Sequence, residues 1–383
     1  MTSKKCGPTA GSRPTLESLT MTALFTPLKI KDVTLKNRIG MAPMCQYSAV
    51  DGVMNDWHHH HLAARAMGGA GLIFSEATAV CPEGRISHGC LGLWNDTQME
   101  AVAPINAFIE SMGAVPAIQI GHSGRKGSAH VPWEGGAHIA DDDLQGWPTC
   151  SPTSDAFDPD GTRLWKAPKE MSLDDIITIK GHFVDTAKRA LESGYKILEL
   201  HAAHGYLPHS FLTPLINTRT DAYGGDLRGR ARFLLETVEA VRAVWPEHLP
   251  LATRISIHDW IEGGHGLEEN IQIAKWLKEA GVDMVDCSGG GATPKARGSI
   301  GERTSSQVDL AGELRAAAGL TTMAVGYITD AKQANALIGN GTCDITLLGR
   351  QLLRDPYWPT HAAQELGVDP KPHMPVQYHV VAG

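Results

Sequence analysis

The chain has 383 residues, 42% of them hydrophobic and 20% charged, with 34 Lys and Arg against 42 Asp and Glu and a formal charge of −8. That composition can bury a large core, which excludes the disordered class, and without a Lys/Arg stripe it excludes a nucleic-acid surface. No stretch approaches the ~20 apolar residues of a membrane span and no charged-then-apolar leader opens the sequence, so the expectation is a cytoplasmic protein with no membrane partner.

The seven cysteines (Cys6, Cys45, Cys81, Cys90, Cys150, Cys287 and Cys343) are odd in number, scattered and never spaced C-x-x-C. They argue against a disulfide scaffold, a structural zinc site and an iron–sulfur cluster.

Residues 1–20 are rich in Ser, Thr, Gly, Pro and Lys and show no apolar period. They read as a disordered extension, with Met21 as the natural beginning and 21–383 as one domain. From Leu24 onward short apolar runs alternate with amphipathic helices. The first strand falls around Ile39, the second at Gly71–Ser75 and the third at Val115–Ile120, with helices at Trp57–Met67 and Thr97–Met112 between them. The four histidines His58 to His61 spread around their helix at about 100° per residue and do not converge, so they read as an amphipathic helix start.

The irregular piece from His122 to Lys169 is long enough to be a functional lid. Ser172 to Asp175 is a capping-box pattern that opens a helix whose apolar face continues to Gly194. The fourth strand then runs through Leu198–Leu200, and four more follow at Leu251–Ser256, Asp283–Cys287, Thr322–Val325 and Asp344–Leu348. Their helices fall at Arg230–Val244, Leu267–Ala280, Val308–Ala318 and Ala331–Ile338. Eight strands alternating with helices predict an α/β fold, a (β/α)8 TIM barrel with a long insertion after strand 3. A doubly wound open sheet would want a Gly-rich turn after its first strand, and Ala42-Pro43-Met44-Cys45 is no such turn.

In a barrel, chemistry belongs at strand C-termini. Gln119 and Arg254 lie inside apolar strands, an expensive place for an amide and a guanidinium without partners. They read either as satisfied structural bonds or as donors to a planar heterocycle rich in acceptors. Gly326 and Gly349-Arg350 follow strands 7 and 8, where barrels commonly hold a phosphate. The fourth strand delivers His201, His204 and Tyr206. The histidines could be core residues, metal ligands of a barrel hydrolase, or donors to a substrate oxygen; Tyr206 could give a proton or simply pack.

Many separate pieces, in one order, carry a resemblance. They include Leu24-Phe25-Thr26-Pro27-Leu28, Ala42-Pro43-Met44-Cys45-Gln46-Tyr47, Ser75-Glu76-Ala77-Thr78, Gln119-Ile120-Gly121-His122, His201-Ala202-Ala203-His204-Gly205-Tyr206-Leu207, Arg254-Ile255-Ser256 and Gly349-Arg350. Over nearly everything after Thr20 the chain resembles the Old Yellow Enzyme family of FMN-dependent ene-reductases, and within it the bacterial xenobiotic-reductase-like subgroup with a cysteine near the flavin. The resemblance implies FMN across the barrel mouth, with its phosphate at Gly326, Gly349 and Arg350, its ring against Pro43, Met44, Cys45 and Ala77, and its pyrimidine edge on Gln119 and Arg254. It implies NADPH or NADH as reductant and α,β-unsaturated carbonyl compounds as substrates. His201 and His204 would hold the carbonyl oxygen, Tyr47 would add a phenol beside it, and Tyr206 would give the proton. A homodimer or higher homo-oligomer is expected. Two departures stand out: Asp226-Leu227-Arg228-Gly229-Arg230 replaces the usual Ser-x-Glu-Asn-Arg, and the tail Val376–Gly383 lacks the arginine or tryptophan that the subgroup often reaches into a neighbouring subunit.

Overall fold

A computed structural model describes residues 22–140, 142–158, 165–297 and 300–382; the extension expected over residues 1–20 lies outside them. A short antiparallel hairpin, β1 (Leu28–Ile30) and β2 (Val33–Leu35), precedes the barrel. The barrel opens with β3 (Ile39–Met41), β4 (Leu72–Ala79) and β5 (Val115–Gly121), between which run α1 (Asp56–Met67) and α2 (Asp96–Ser111). The chain then leaves for an insertion in which β6 (Cys150–Ser151) pairs with β7 (Lys169–Glu170), and α3 (Leu173–Glu192) brings it back. It continues through β8 (Ile197–Ala202), α4 (Leu207–Leu212), α5 (Leu227–Arg242), β9 (Leu251–Ser256), α6 (Leu267–Glu279), β10 (Met284–Ser288), α7 (Ile300–Ala318), β11 (Thr321–Val325), α8 (Ala331–Gly339) and β12 (Ile345–Leu348). Two short helices, α9 (Arg350–Arg354) and α10 (Trp358–Glu365), follow. The eight strands β3, β4, β5, β8, β9, β10, β11 and β12 close into one parallel barrel in that cyclic order. The expected (β/α)8 barrel with an insertion after its third strand is the observed fold.

Local chemistry explains the departures from expectation. α5 begins at Leu227, three residues ahead of Arg230, because Asp226 caps it by accepting the Gly229 N–H at 2.8 Å. Gly229 obscures that start in the sequence, yet a side chain there would reach to 2.1 Å from the Gly224 carbonyl oxygen. The departure from the family pattern is thus a working helix cap. β4 runs beyond Ser75 to Ala79 through a register shift between Ser75 and Ala77, which buries Glu76. The capping box of α3 forms as expected: Asp175 N–H donates to Ser172 Oγ, and the Asp175 carboxylate accepts from Ser172 N–H at 2.8 Å.

Two contacts hold the segment that follows β8. Phe211 of α4 stacks on Phe233 of α5 with ring centroids 4.5 Å apart, and both rings are fully buried. A sealed polar network lies beside them. His209 Nδ1 accepts the Gly205 N–H at 2.8 Å, so its Nε2 carries the hydrogen and faces Asp259 Oδ1 at 3.1 Å and His265 Nε2 at 3.2 Å. Thr213 Oγ1 donates to the other oxygen of Asp259 at 2.6 Å. All four side chains are fully buried.

Replacing Phe233 by Ala should destabilise the fold by about 3–5 kcal/mol, because the cavity would open under α4; a urea midpoint within error of wild type would refute that packing role. The second expectation concerns pH. Burial lowers the His265 pKa from 6.5 to about 4. Between those values the unfolded chain holds the extra proton, so stability is complete above pH 6.5 and falls as the pH drops towards 4. The loss at this residue is at most about 3 kcal/mol. Urea melts across that range should show a shallower decline for His265→Gln than for wild type; parallel declines would contradict it.

Candidate active site

β8 ends in a turn that collects three rings. His201 stands 4.9 Å from Tyr206 and 5.1 Å from His204 between ring centroids, nearly perpendicular to both. The turn is tight because His204 (φ +61°) and Gly205 (φ +73°) are both left-handed, a conformation that a residue with a side chain holds only when its surroundings enforce it. They do so here: His204 N–H donates to Ser256 Oγ at 2.9 Å, its carbonyl accepts from Lys126 Nζ at 2.7 Å, and Gly205 N–H is held by His209. Gly205 also runs so close to β10's loop that a side chain would strike the Gly291 carbonyl oxygen at 2.3 Å.

Hydrogen bonding fixes the tautomer of His201. Ala203 N–H donates to His201 Nδ1 at 3.2 Å, leaving Nε2 as the hydrogen-bearing nitrogen. His204 Nε2 is hydrogen-bonded to Ser288 Oγ at 2.7 Å, a contact that either neutral tautomer makes because a hydroxyl both donates and accepts. Burial, with the neighbouring positive charge of Arg254 adding to it, pushes both imidazoles well below their ordinary pKa. Both are therefore neutral donors at physiological pH.

Behind the rings lies a layer of charge. Gln119 of β5 and Glu199 of β8 are register partners, and Gln119 Nε2 donates to Glu199 Oε1 at 2.7 Å. Arg254 of β9 and Asp286 of β10 are likewise partners, with Nε donating to Oδ2 at 2.5 Å. Arg254 Nε also lies 3.9 Å from Glu199 Oε1. Burial works against the Arg254 charge, but the Asp286 carboxylate beside it favours the charged form and its pKa is raised. Arg254 Nη2 is buried without a partner. One face of Gln119 and of Arg254 is thus satisfied structurally, as the alternative reading expected, while the guanidinium keeps a donor unused.

The loop after β3 supplies the opposite wall. Pro43, Met44, Cys45 and Tyr47 are half-buried. The Cys45 thiol lies within hydrogen-bonding reach of the Ala77 backbone and the Tyr47 side chain, and burial raises its pKa so that it stays protonated. Tyr47 is left-handed (φ +52°), and burial raises its phenol likewise. Glu76 anchors this loop by accepting the Gln46 N–H at 3.1 Å, with His58 Nε2 at 3.4 Å. The histidine run is a helix start, as expected, yet His58 and His61 are buried in it. Gly326, Tyr327, Gly349, Arg350 and Arg354 line one cleft, in which the Arg350 guanidinium lies 4.5 Å from the Tyr327 ring centre. Met44 borders that cleft: its sulfur is 3.5 Å from where a side chain on Gly349 would begin. The insertion walls the mouth, since Lys126, His130 and Trp165 share a cleft with Tyr47 and Tyr206.

The residues expected to form the site lie in the C-terminal halves of the barrel strands or in the loops that follow them. Lys126, Ser256, Ser288, Glu76, Glu199 and Asp286 were not anticipated. Glu199 and Asp286 carry the same signal as Gln119 and Arg254, a polar side chain inside an apolar strand, and could have been found by it. The unused donor on Arg254 and the glycine-and-arginine cleft suit a planar acceptor-edged ring bearing a phosphate, the description of FMN. A metal fits less well. Among the described residues the single group of three potential ligands is His209, Asp259 and His265, not the His201/His204 pair. Even there Gly205 N–H occupies His209 Nδ1, which leaves Nε2 protonated and without a lone pair for a cation.

Comparison with known proteins agrees. The profile of the NADH:flavin oxidoreductase / NADH oxidase family matches residues 23–369. An NADPH dehydrogenase of Bacillus pumilus is 44% identical over 347 residues, 90% of this chain and 95% of that protein. One from Bacillus subtilis is 40% identical over 357 residues, 93% of this chain and 98% of that protein. Among solved structures, the Old Yellow Enzyme homologue of Zymomonas mobilis superposes with a TM-score of 0.73 at 26% identity, covering 89% of this chain and 92% of that one. Morphinone reductase in complex with tetrahydroNAD gives 0.71 at 25% identity, covering 92% and 94%. With the barrel, the buried guanidinium and the cleft of glycines and arginines already in place, these matches make the chain a member of the NADH:flavin oxidoreductase / NADH oxidase family, an Old Yellow Enzyme-type NAD(P)H-dependent oxidoreductase that uses FMN.

Proposed function

We propose that the chain is an ene-reductase, reducing the activated C=C bond of α,β-unsaturated carbonyl compounds. The observation that carries this reading is the turn after β8: two neutral imidazoles, His201 with its hydrogen placed on Nε2 by Ala203 and His204 held by Ser288, and a phenol beside them. Two neutral donors suit a carbonyl oxygen, which gains negative charge as the alkene carbon conjugated to it accepts hydride. Bound FMN supplies the chemistry of taking a hydride from NAD(P)H and passing it to the β-carbon of the alkene.

The chain's own residues then have distinct tasks. His201 and His204 bind and polarise the carbonyl, and Tyr47 adds a phenol beside it. Tyr206 gives a proton to the α-carbon. Gln119 and Arg254 would hold the flavin's pyrimidine edge, Pro43, Met44, Cys45 and Ala77 its ring, and Gly326, Gly349 and Arg350 its phosphate. Cys45, kept as a thiol, acts there by contact and not as a nucleophile. A homodimer in the cytoplasm completes the reading; all six described cysteines are free thiols, which suits a reducing compartment.

Anaerobic addition of NADPH should bleach the flavin of the purified protein, and cyclohexenone should then restore its colour; a flavin that neither NADPH nor NADH bleaches would overturn the reading. Tyr206→Phe should slow the reoxidation by cyclohexenone about 100-fold or more while flavin bleaching by NADPH stays near wild type. Equal loss in both half-reactions would exclude Tyr206 as the proton donor.

A further inference from the structure

The layer beneath the rings holds two carboxyl groups and one guanidinium, all buried: Glu199 and Asp286 have fully buried side chains and Arg254 is 6% exposed. Two carboxylates and one guanidinium would leave a net negative charge in the barrel core, where an uncompensated ion is costly. Counting their acceptors shows where the deficit lies. Glu199 Oε1 receives Gln119 Nε2, and Asp286 Oδ2 receives Arg254 Nε. The other oxygen of each, Glu199 Oε2 and Asp286 Oδ1, is buried with no donor. These two carboxyl groups lie within hydrogen-bonding reach of each other.

We infer that Glu199 and Asp286 share one proton, with Glu199 the neutral acid and Asp286 the carboxylate, so that one hydrogen satisfies both orphaned oxygens and the cluster with Arg254 is neutral. Two like-charged carboxyl groups sharing a site cannot both ionise readily. Arg254 lies nearer Asp286 than Glu199, which assigns the charge to Asp286. Burial, then the neighbouring Asp286 charge, holds Glu199 well above the ordinary carboxyl range. The remaining titratable groups facing the cluster do not supply a competing positive charge: His201, the register partner of Arg254, is neutral, and the Cys45 thiol is protonated.

The consequence reaches the cofactor. With Glu199 neutral, the guanidinium's free Nη2 presents a donor above a core of zero net charge; with Glu199 ionised, a surplus anion would oppose electron uptake by a flavin placed over it. This part rests on the placement of Arg254 at the flavin, whereas the shared proton does not.

The test separates the two. Infrared spectra of the full-length FMN-loaded protein at neutral pH, grown with and without carboxyl-labelled 13C-glutamate, should show an isotope-sensitive and deuterium-sensitive C=O stretch of a protonated carboxylic acid, absent in Glu199→Gln. No such band in the wild type would overturn the shared proton without any variant having to fold. In spectroelectrochemistry, Glu199→Gln should leave the flavin midpoint potential near wild type, since it replaces one neutral group by another, and Asp286→Asn should shift it to more positive values. A positive shift of the same size in Glu199→Gln would mean that Glu199 was ionised and would also overturn the proposal. The acid band together with a potential that neither variant moves would uphold the shared proton and count against Arg254 lying beneath the flavin.

Discussion

The site depends on the left-handed turn at His204 and Gly205. Left-handed backbone at a residue with a side chain carries strain of the order of 1–3 kcal/mol, and here it is met from three directions. β9 supplies Ser256 to the His204 N–H, the insertion supplies Lys126 to its carbonyl, and α4 supplies His209 to the Gly205 N–H. Without the turn, β8 would continue upward and His204 would point away from His201. With it, two imidazoles and a phenol from six consecutive residues face one another at right angles. The close approach of Gly205 to Gly291 couples this geometry to β10, the strand that also delivers Ser288 to His204 and Asp286 to Arg254.

Placing polar groups at one end of a barrel requires that the barrel satisfy them. The solution is pairing by register: adjacent strands bring Gln119 level with Glu199 and Arg254 level with Asp286, so each long side chain meets its partner across about one interstrand spacing. This explains why a core this polar is tolerated. It also leaves the guanidinium with a buried donor to spare, because Nε is committed to Asp286 while Nη2 has no partner. The same logic governs the β3 loop, where buried Glu76 gathers the Gln46 N–H and His58 and so fixes the run that carries Cys45 and Tyr47.

Much of this was legible in the sequence. Short apolar runs marked all eight strands, and the apolar strands interrupted by Gln119 and Arg254 flagged the site, because burial makes unpaired polar groups costly. What stayed hidden depends on partners distant in sequence. Glu199 carried a visible signal, but its meaning required Asp286, 87 positions on by the sequence numbering. Ser288 looks like any strand-end serine until His204 Nε2 is found 2.7 Å away. The start of α5 was masked by Gly229, whose identity is set by the Gly224 carbonyl and not by helix propensity. The β1–β2 hairpin and the β6–β7 pair are too short for periodicity to reveal.

The balance of charge at the mouth follows from these constraints and bears on the proposed reaction. Burial and the Arg254 cation keep His201 and His204 neutral, so they can donate hydrogen bonds but give up no proton cheaply. Cys45 is locked as a thiol and the Tyr47 phenol is driven up by burial. Tyr206 differs in its neighbour: Lys126 Nζ lies 5.0 Å from its ring centre, within the range in which a cation is attracted to an aromatic face. Lys126 is held there by the His204 carbonyl, so the cation beside the proposed proton donor is positioned by the same turn that brings His201 and His204 together.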